Sequence, residues 1–451
     1  MAHTPDLEAR SPWSAISDYK EVNIRGYEKP VQGSVTIPGS KSFTNRALAL
    51  AAFSEGTSHL TGVLQSDDSY FCLESLKALG VKIELDGETT KIEGIGGQRL
   101  AHSAQMYIGA SGTNGRFLPG LVAAHTDVPQ EIRASKRMSE RPVEPLFNVL
   151  TSLGQKVEYT GKEGFYPVTL HPSAFTGGEA TISGQLSSQF ISGILMAAPA
   201  SEQGVVLNVT DGIVQHAYVN ITVELMRAHG VDVQHNDRFD RFVVKPQTYQ
   251  AKDYALEADA STAGYFFALA ALHGTTIEVT NMNPETNQPD FLLLKVLEQL
   301  GCQVAIDGTC VKVTGPEQLK GNCTISMREM SDQALTLAAL APFADGPITI
   351  TEVEHIRHHE SDRIAAMATS LKQLGIDVQE HIDGWTIQPG SPASTDPLSS
   401  YDDHRVAMSL AVIGTKAGNL TISDPGCVSK TCPTFFSLIE QLHVNVDYVK
   451  A

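Results

Sequence analysis

The residues of this sequence best placed to do chemistry are cations set in turn-like stretches. In PGSKSFTNRALALAA, Pro38, Gly39 and Ser40 read as a turn that delivers Lys41 and Ser42 to a helix start, with Arg46 one turn onward. Such a start suits an anion. It is not a nucleotide-binding P-loop, which needs four residues between its first glycine and Gly-Lys-Ser; here Gly33 lies too far back and Ser40 intervenes. GASGTNGRF, from Gly109 to Phe117, could present further backbone N–H groups around Gly112. Ser187, Ser188 and Gln189 in SGQLSSQF supply neutral donors of the kind that orient phosphate or hydroxyl groups.

More cations follow in SKRMSERP (Arg137, Arg141), HIRHHESDR (Arg357, Arg363), YDDHR (Arg405) and SKTCP (Lys430). Guanidinium forks beside Gly, Pro, Asp and His in turns suit carboxylate and phosphate. Asp332 in EMSDQALTLA and Glu360 in HHESDR could handle protons. Singly, each has a plain reading as a solvated loop, a helix cap or a salt-bridge partner. Together they point to a small substrate carrying a phosphate and a carboxylate. His355, His358 and His359 invite a metal, but a zinc-protease helix needs Glu directly after its first histidine and no nearby cysteine completes a site, so none is expected. No G-x-S-x-G elbow or dinucleotide fingerprint competes.

The elements that must position these groups repeat. A short amphipathic helix, a stop residue and an alternating strand recur six times: LKALGVKIEL, VLTSLGQKVEY, ELMRAHGVDVQ, VLEQLGCQVAI, SLKQLGIDVQE and LIEQLHVNVDY. The stop is Gly80, Gly154, Gly230, Gly301 or Gly375 in five copies and His443 in the last. A separation of about seventy residues is long enough for a unit of several strands and two helices. Six units divide as three and three, within a mixed α/β fold.

With 451 residues the chain is long enough for two large domains, and its formal charge of −18 argues against a nucleic-acid partner. No stretch is apolar enough to span a bilayer, and the polar start MAHTPDLEARSPW fits neither a signal nor a transit peptide, so a cytoplasmic protein is expected. Six dispersed cysteines without a C-x-x-C pair read as reduced thiols.

In this order, PGSKSFTNR, GASGT, KRMSERP, SGQLSSQF, DASTAGYFFA, SDQALTLA, HHESDR, YDDHRVAM and DPGCVSKTCP resemble the 5-enolpyruvylshikimate-3-phosphate synthase family, over roughly Val31 to Leu442. The resemblance implies a two-domain inside-out α/β barrel, each domain three βαβαββ units, with residues 1–38 plus 257–451 in one domain and 39–256 in the other. It implies transfer of the enolpyruvyl group of phosphoenolpyruvate to an acceptor hydroxyl through a tetrahedral intermediate, with release of phosphate and no cofactor. Lys41, Arg137 and Gln189 would hold the phosphoenolpyruvate phosphate with the backbone at Gly112; Arg363 and Arg405 would clamp its carboxylate and Lys430 would close over it. Glu360 would exchange a proton with the methylene carbon, Asp332 would take the acceptor's hydroxyl proton, and Lys41 would assist the departing phosphate. Small-molecule substrates, closure of the two halves on binding and a monomer are the corresponding expectations.

On the acceptor side, Ser42 and Arg46 for the carboxylate, Ser187, Ser188 and Gln189 keep the family pattern, as do Lys41 and Asp332, which also serve there. Gln215 stands at a usual serine, His355 at an asparagine, His359 at a lysine and Ala110 at an asparagine. A histidine is charged only partly near neutral pH, so acceptor phosphate binding is expected to weaken or to depend on pH. Two alternatives stay open: a relative that uses a different hydroxyl acceptor, and a non-catalytic anion-binding protein.

Overall fold

The computed structural model describes residues 5–87 and 89–450. In every repeat the stop residue is left-handed: the five glycines have φ between +79° and +105°, and His443 takes φ +72°. A residue of this conformation ends a helix by turning the chain out of it, which glycine does without a Cβ penalty. The strands that follow are Lys82–Asp86, Lys156–Tyr159, Gln234–His235, Gln303–Asp307, Val378–His381 and Val444–Lys450.

Five four-stranded sheets share one pattern, a parallel pair followed by two antiparallel partners. In one, Cys323–Ser326 runs parallel to Ile348–Thr351, which pairs antiparallel with Gly384–Ile387, itself antiparallel to Val378–His381. The sixth sheet borrows its middle strand. There Tyr19–Tyr27, from near the start of the chain, pairs antiparallel with both Leu420–Ser423 and Val444–Lys450, and Leu398 bridges Ile422 in parallel.

The chain divides into two compact units, Gly39–Leu256 and Met1–Pro38 with Glu257–Ala451, with three of these sheets in each. Within each unit three helices are buried along almost their whole length. They are Lys41–Ala52, Asn114–His125 and Ser188–Ala197 in the first, and Ala260–His273, Ala334–Leu340 and His404–Ala417 in the second. A helix buried on every side has no solvent face, so the sheets, whose strands alternate buried and open positions, form the outside. Small residues let the inner helices touch. A Cβ added at Gly193 would lie 1.9 Å from the Arg116 carbonyl oxygen, and one at Gly120 would lie 2.8 Å from the Ala197 Cβ.

All six cysteines are free, and among the described residues no helix is long and apolar enough to cross a membrane.

Candidate active site

Lys41, Gly112, Ser187, Ser188, Asp332 and Arg405 lie at or just before the N-terminal ends of the buried helices, where unpaired N–H groups and the helix dipole favour negative charge. In the Gly39–Leu256 unit these ends are tied to one another. Lys41 opens the first helix with its Nζ 3.6 Å from Asp68 Oδ2, and Asn45 on the same helix donates to Thr113 Oγ1 at 2.5 Å. Gly112, just before Thr113, lies under two guanidinium groups: an added Cβ would sit 2.5 Å from Arg116 Nη1 and 3.0 Å from Arg141 Nη1. Arg116 Nη1 donates to Gly112 O (3.2 Å) and to Gln189 Oε1 (2.8 Å), which links the second helix start to the third. Ser187 caps that third helix by accepting from Gln189 N at 3.2 Å, with Ser188 as its first residue. Arg137 is partly open to solvent, 3.3 Å from Glu140 Oε2, and Gln215 is buried in a left-handed conformation at φ +51°.

Arg46 faces inward. It is 1% exposed and donates to Thr222 Oγ1 (2.6 Å), Ser42 O (2.9 Å) and Tyr218 O (3.1 Å), with its guanidinium 4.6 Å over the Phe117 ring. It therefore braces Ser42 and three helices of the unit from below.

In the other unit Arg363 is the hub. It begins the Arg363–Gln373 helix and is 1% exposed. Nε and Nη2 donate to the two oxygens of fully buried Asp403 at 2.8 and 3.2 Å; Nη1 meets Asp332 Oδ1 and Nη2 meets Glu360 Oε2, each at 3.0 Å. Burial pulls the guanidinium pKa down, but Asp403, Glu360 and Asp332 more than offset it, so Arg363 stays protonated. Asp332 Oδ2 accepts from Arg405 Nη2 at 3.0 Å. Arg405 Nη1 donates to Ser261 Oγ (2.6 Å), whose hydroxyl is 3.2 Å from Asp290 Oδ1. Lys430 Nζ lies 3.8 Å from Glu360 Oε1, at the end of the Pro425–Lys430 turn.

Three cations, Arg363, Arg405 and Lys430, thus meet three carboxylates, Asp332, Glu360 and Asp403. A balanced cluster keeps buried charges tolerable. It also means that an entering carboxylate competes with Asp332, which bridges the two arginines. Arg357 stands apart from the cluster, pairing with Asp362 and Glu380 at 3.0 Å each.

The two histidines correct one expectation. Arg363 Nη1 lies 3.1 Å from His359 Nδ1, and arginine can only donate, so Nδ1 accepts and the ring proton sits on Nε2. Burial first, then Arg363, hold His359 well below the ordinary imidazole range. Its Nδ1 accepting from Arg363 and this downward pull both favour a neutral donor over the partial charge expected near neutral pH. His355, with Nε2 2.8 Å from Ser331 Oγ, is lowered to about 4, chiefly by burial. Among the described residues no group of three or more His, Cys, Asp or Glu is arranged to hold a metal.

A base with a folded-state pKa below its unfolded value binds fewer protons when folded, so its contribution is complete above the unfolded value and is lost as pH falls. Stability should therefore drop between the ordinary 6.5 and about 4, with His355 responsible for up to roughly 3 kcal/mol. Urea titrations at pH 7.5 and pH 5 check this. The wild-type loss should be clearly larger than that of His355→Asn; equal losses would exclude the imidazole as the source.

Among the groups of these clusters that the sequence does not single out are Arg116, Asp403, Ser261 and Asp290. Arg116 carried a signal, four residues after Gly112 in GASGTNGRF, and so did Asp403, immediately before the helix that bears Arg405. Ser261 and Asp290 had none, because their pairing joins segments 29 residues apart through tertiary packing.

The sequence profile of EPSP synthase (3-phosphoshikimate 1-carboxyvinyltransferase) matches residues 26–439. A Halalkalibacterium halodurans protein named 3-phosphoshikimate 1-carboxyvinyltransferase 2 is 52% identical, over 98% of this chain and 99% of its own. The chloroplastic 3-phosphoshikimate 1-carboxyvinyltransferase of Arabidopsis thaliana is 38% identical, over 97% and 87%. Among solved structures, an EPSP synthase from Acinetobacter baumannii superposes with a TM-score of 0.78 at 26% identity, covering 96% of this chain and 100% of that one.

Proposed function

This chain belongs to the EPSP synthase family, and from that premise we propose that it transfers the enolpyruvyl group of phosphoenolpyruvate to a hydroxyl of shikimate 3-phosphate, releasing phosphate. The observation that carries the reading is the cluster around Arg363, where two proton-handling carboxylates share a carboxylate-binding pair of arginines.

Arg363 and Arg405 take the substrate carboxylate, Lys430 closes over it, and Lys41, Arg137 and Gln189 take the phosphate with the Gly112 backbone. Arg116 aligns Gln189 from behind. As the substrate carboxylate takes over donors now held by Asp332, that side chain is released as a base. With the substrate carboxylate added to the cluster, Glu360 takes up a proton from solvent and gives it to the methylene carbon, the acceptor oxygen bonds to the neighbouring carbon, and the hydroxyl proton passes to Asp332, which returns it to solvent. In the second half, Glu360 recovers a proton from the new methyl group, the double bond re-forms, and the bond to the phosphate oxygen breaks with Lys41 beside the leaving group. Fixed cations in a dry site stabilise the charge that gathers in between. Lys41, Ser42, Arg46, Ser187, Ser188, Gln189, Gln215, Asp332, His355 and His359 bind the acceptor, and Arg46 also donates to Ser42 O.

A steady-state assay of phosphate release tests this. A specificity constant for shikimate 3-phosphate above ~10⁴ M⁻¹s⁻¹ is expected. A value far below that, with a faster alternative hydroxyl compound, would favour a different acceptor. The neutral His359 where a lysine is usual is the observation that keeps that second reading in play.

The proposed phosphate ligands belong to the Gly39–Leu256 unit and the carboxylate ligands to the other. The enzyme acts as a cytoplasmic monomer, a state that light scattering of the purified chain would check.

A further inference from the structure

Residues 5–18 precede the stretch matched by the family, 26–439, yet they fold against the unit that holds the Arg363 cluster. A short helix, Leu7–Ala9, leads into Arg10, whose side chain is 8% exposed. Arg10 Nη2 donates to Asp402 Oδ1 and, at 2.9 Å, to Asp424 Oδ2; the backbone N–H of Asp6 donates to the other oxygen of Asp402 at 3.0 Å. Further along, Lys20 O accepts from Asp424 N at 2.7 Å, and Ser17 packs so closely that a Cβ added at Gly426 would lie 3.0 Å from its Cα.

Both aspartates adjoin active-site groups. Asp402 precedes Asp403, which grips Arg363 and caps the helix bearing Arg405. Asp424 opens the turn that ends on Lys430. Both loops are also strained, since Tyr401, Asp402 and Asp424 have φ of +56°, +53° and +49°. Non-glycine residues keep such angles only where their surroundings hold them. Burial pushes the Asp424 carboxyl up to about 7, against the pull of Arg10 and with the help of Asp402. Two largely buried carboxyl groups therefore share one guanidinium, and without it they would repel each other until one took up a proton.

We infer that the N-terminal segment is a strap that positions the carboxylate-binding cations: Arg10, by bridging Asp402 and Asp424, sets the loops that present Arg405 and Lys430. The inference rests on the proposed transfer reaction for its kinetic consequence, though not for its structural one.

The test is Arg10→Ala in the full chain, read by amide hydrogen exchange and by steady-state kinetics. Exchange should quicken together in 399–405 and 424–430 while Ala334–Leu340 stays protected. KM for phosphoenolpyruvate should rise about tenfold, with KM for the acceptor within about twofold. Adding Asp424→Asn should restore much of both, because asparagine tolerates the left-handed backbone and its amide can donate to Asp402. Unchanged exchange in the two loops would overturn the inference. So would equal increases in both KM values with a lowered melting temperature and no rescue, which would mark the strap as general stabilisation. A wild-type chain with no turnover counts against the transfer reaction and leaves the strap to be decided by the exchange data.

Discussion

Arg363→Ala is expected to cost the protein both its stability and its turnover. The guanidinium is buried and contacts three carboxylates and His359; one of them, Asp403, is fully buried and receives two of its hydrogen bonds. Removing the cation leaves Asp403 desolvated and adds repulsion among Asp332, Glu360 and Asp403. Breaking a buried pair from one side costs about 3–5 kcal/mol, which for a unit of this size is a fall in melting temperature of roughly 10 °C. Catalytic efficiency should drop further still, since the same group is proposed to hold the substrate carboxylate. Arg363→Lys should recover part of the stability and little of the activity, because an ammonium keeps the charge but cannot span several acceptors as a planar fork does. Calorimetry with steady-state kinetics on both variants decides the matter. A melting temperature and a kcat/KM near wild type in Arg363→Ala would refute the hub.

The second large effect is confined to the chemical step. Glu360→Gln is nearly isosteric, and its amide oxygen can still accept from Arg363 Nη2, now 3.0 Å from the carboxylate. Folding and substrate binding should therefore persist, while transfer of a proton to and from carbon should not. A fall in kcat of about 10²–10⁴ is expected, with KM for phosphoenolpyruvate unchanged or lower. Losing a carboxylate also gives the cluster a net positive charge, which favours an anionic ligand. A kcat within a factor of about three of wild type would remove Glu360 from the proton path.

The repeat was readable because its stop position has a backbone requirement that residue type reveals. His443 shows that the requirement belongs to the position, since it adopts the left-handed angle of the five glycines without being one. What no local pattern could disclose is the completion of the sixth sheet, where Tyr19–Tyr27 pairs with Val444–Lys450 from the far end of the chain. That register depends on packing alone.

At the candidate site, the cations stood out because arginine and lysine in glycine- and proline-bearing turns are conspicuous. Their carboxylate partners were less so. Asp332 and Glu360 stand out for proton transfer, but that Asp332 bridges two arginines is a fact of geometry. At His359 the replacement of a usual lysine is legible in the sequence, whereas the packing that lowers the ring pKa is not written in neighbouring residues. Arg10 was legible only as part of a polar leader, since its partners lie 392 and 414 residues away.

The most direct measurement is a phosphorus NMR time course of the purified chain with phosphoenolpyruvate and shikimate 3-phosphate in equal amounts. Enolpyruvyl transfer requires both substrate resonances to fall together while inorganic phosphate and one new phosphomonoester appear in a one-to-one ratio. Phosphoenolpyruvate left intact, or phosphate released while the shikimate 3-phosphate signal stays constant, would contradict the assignment.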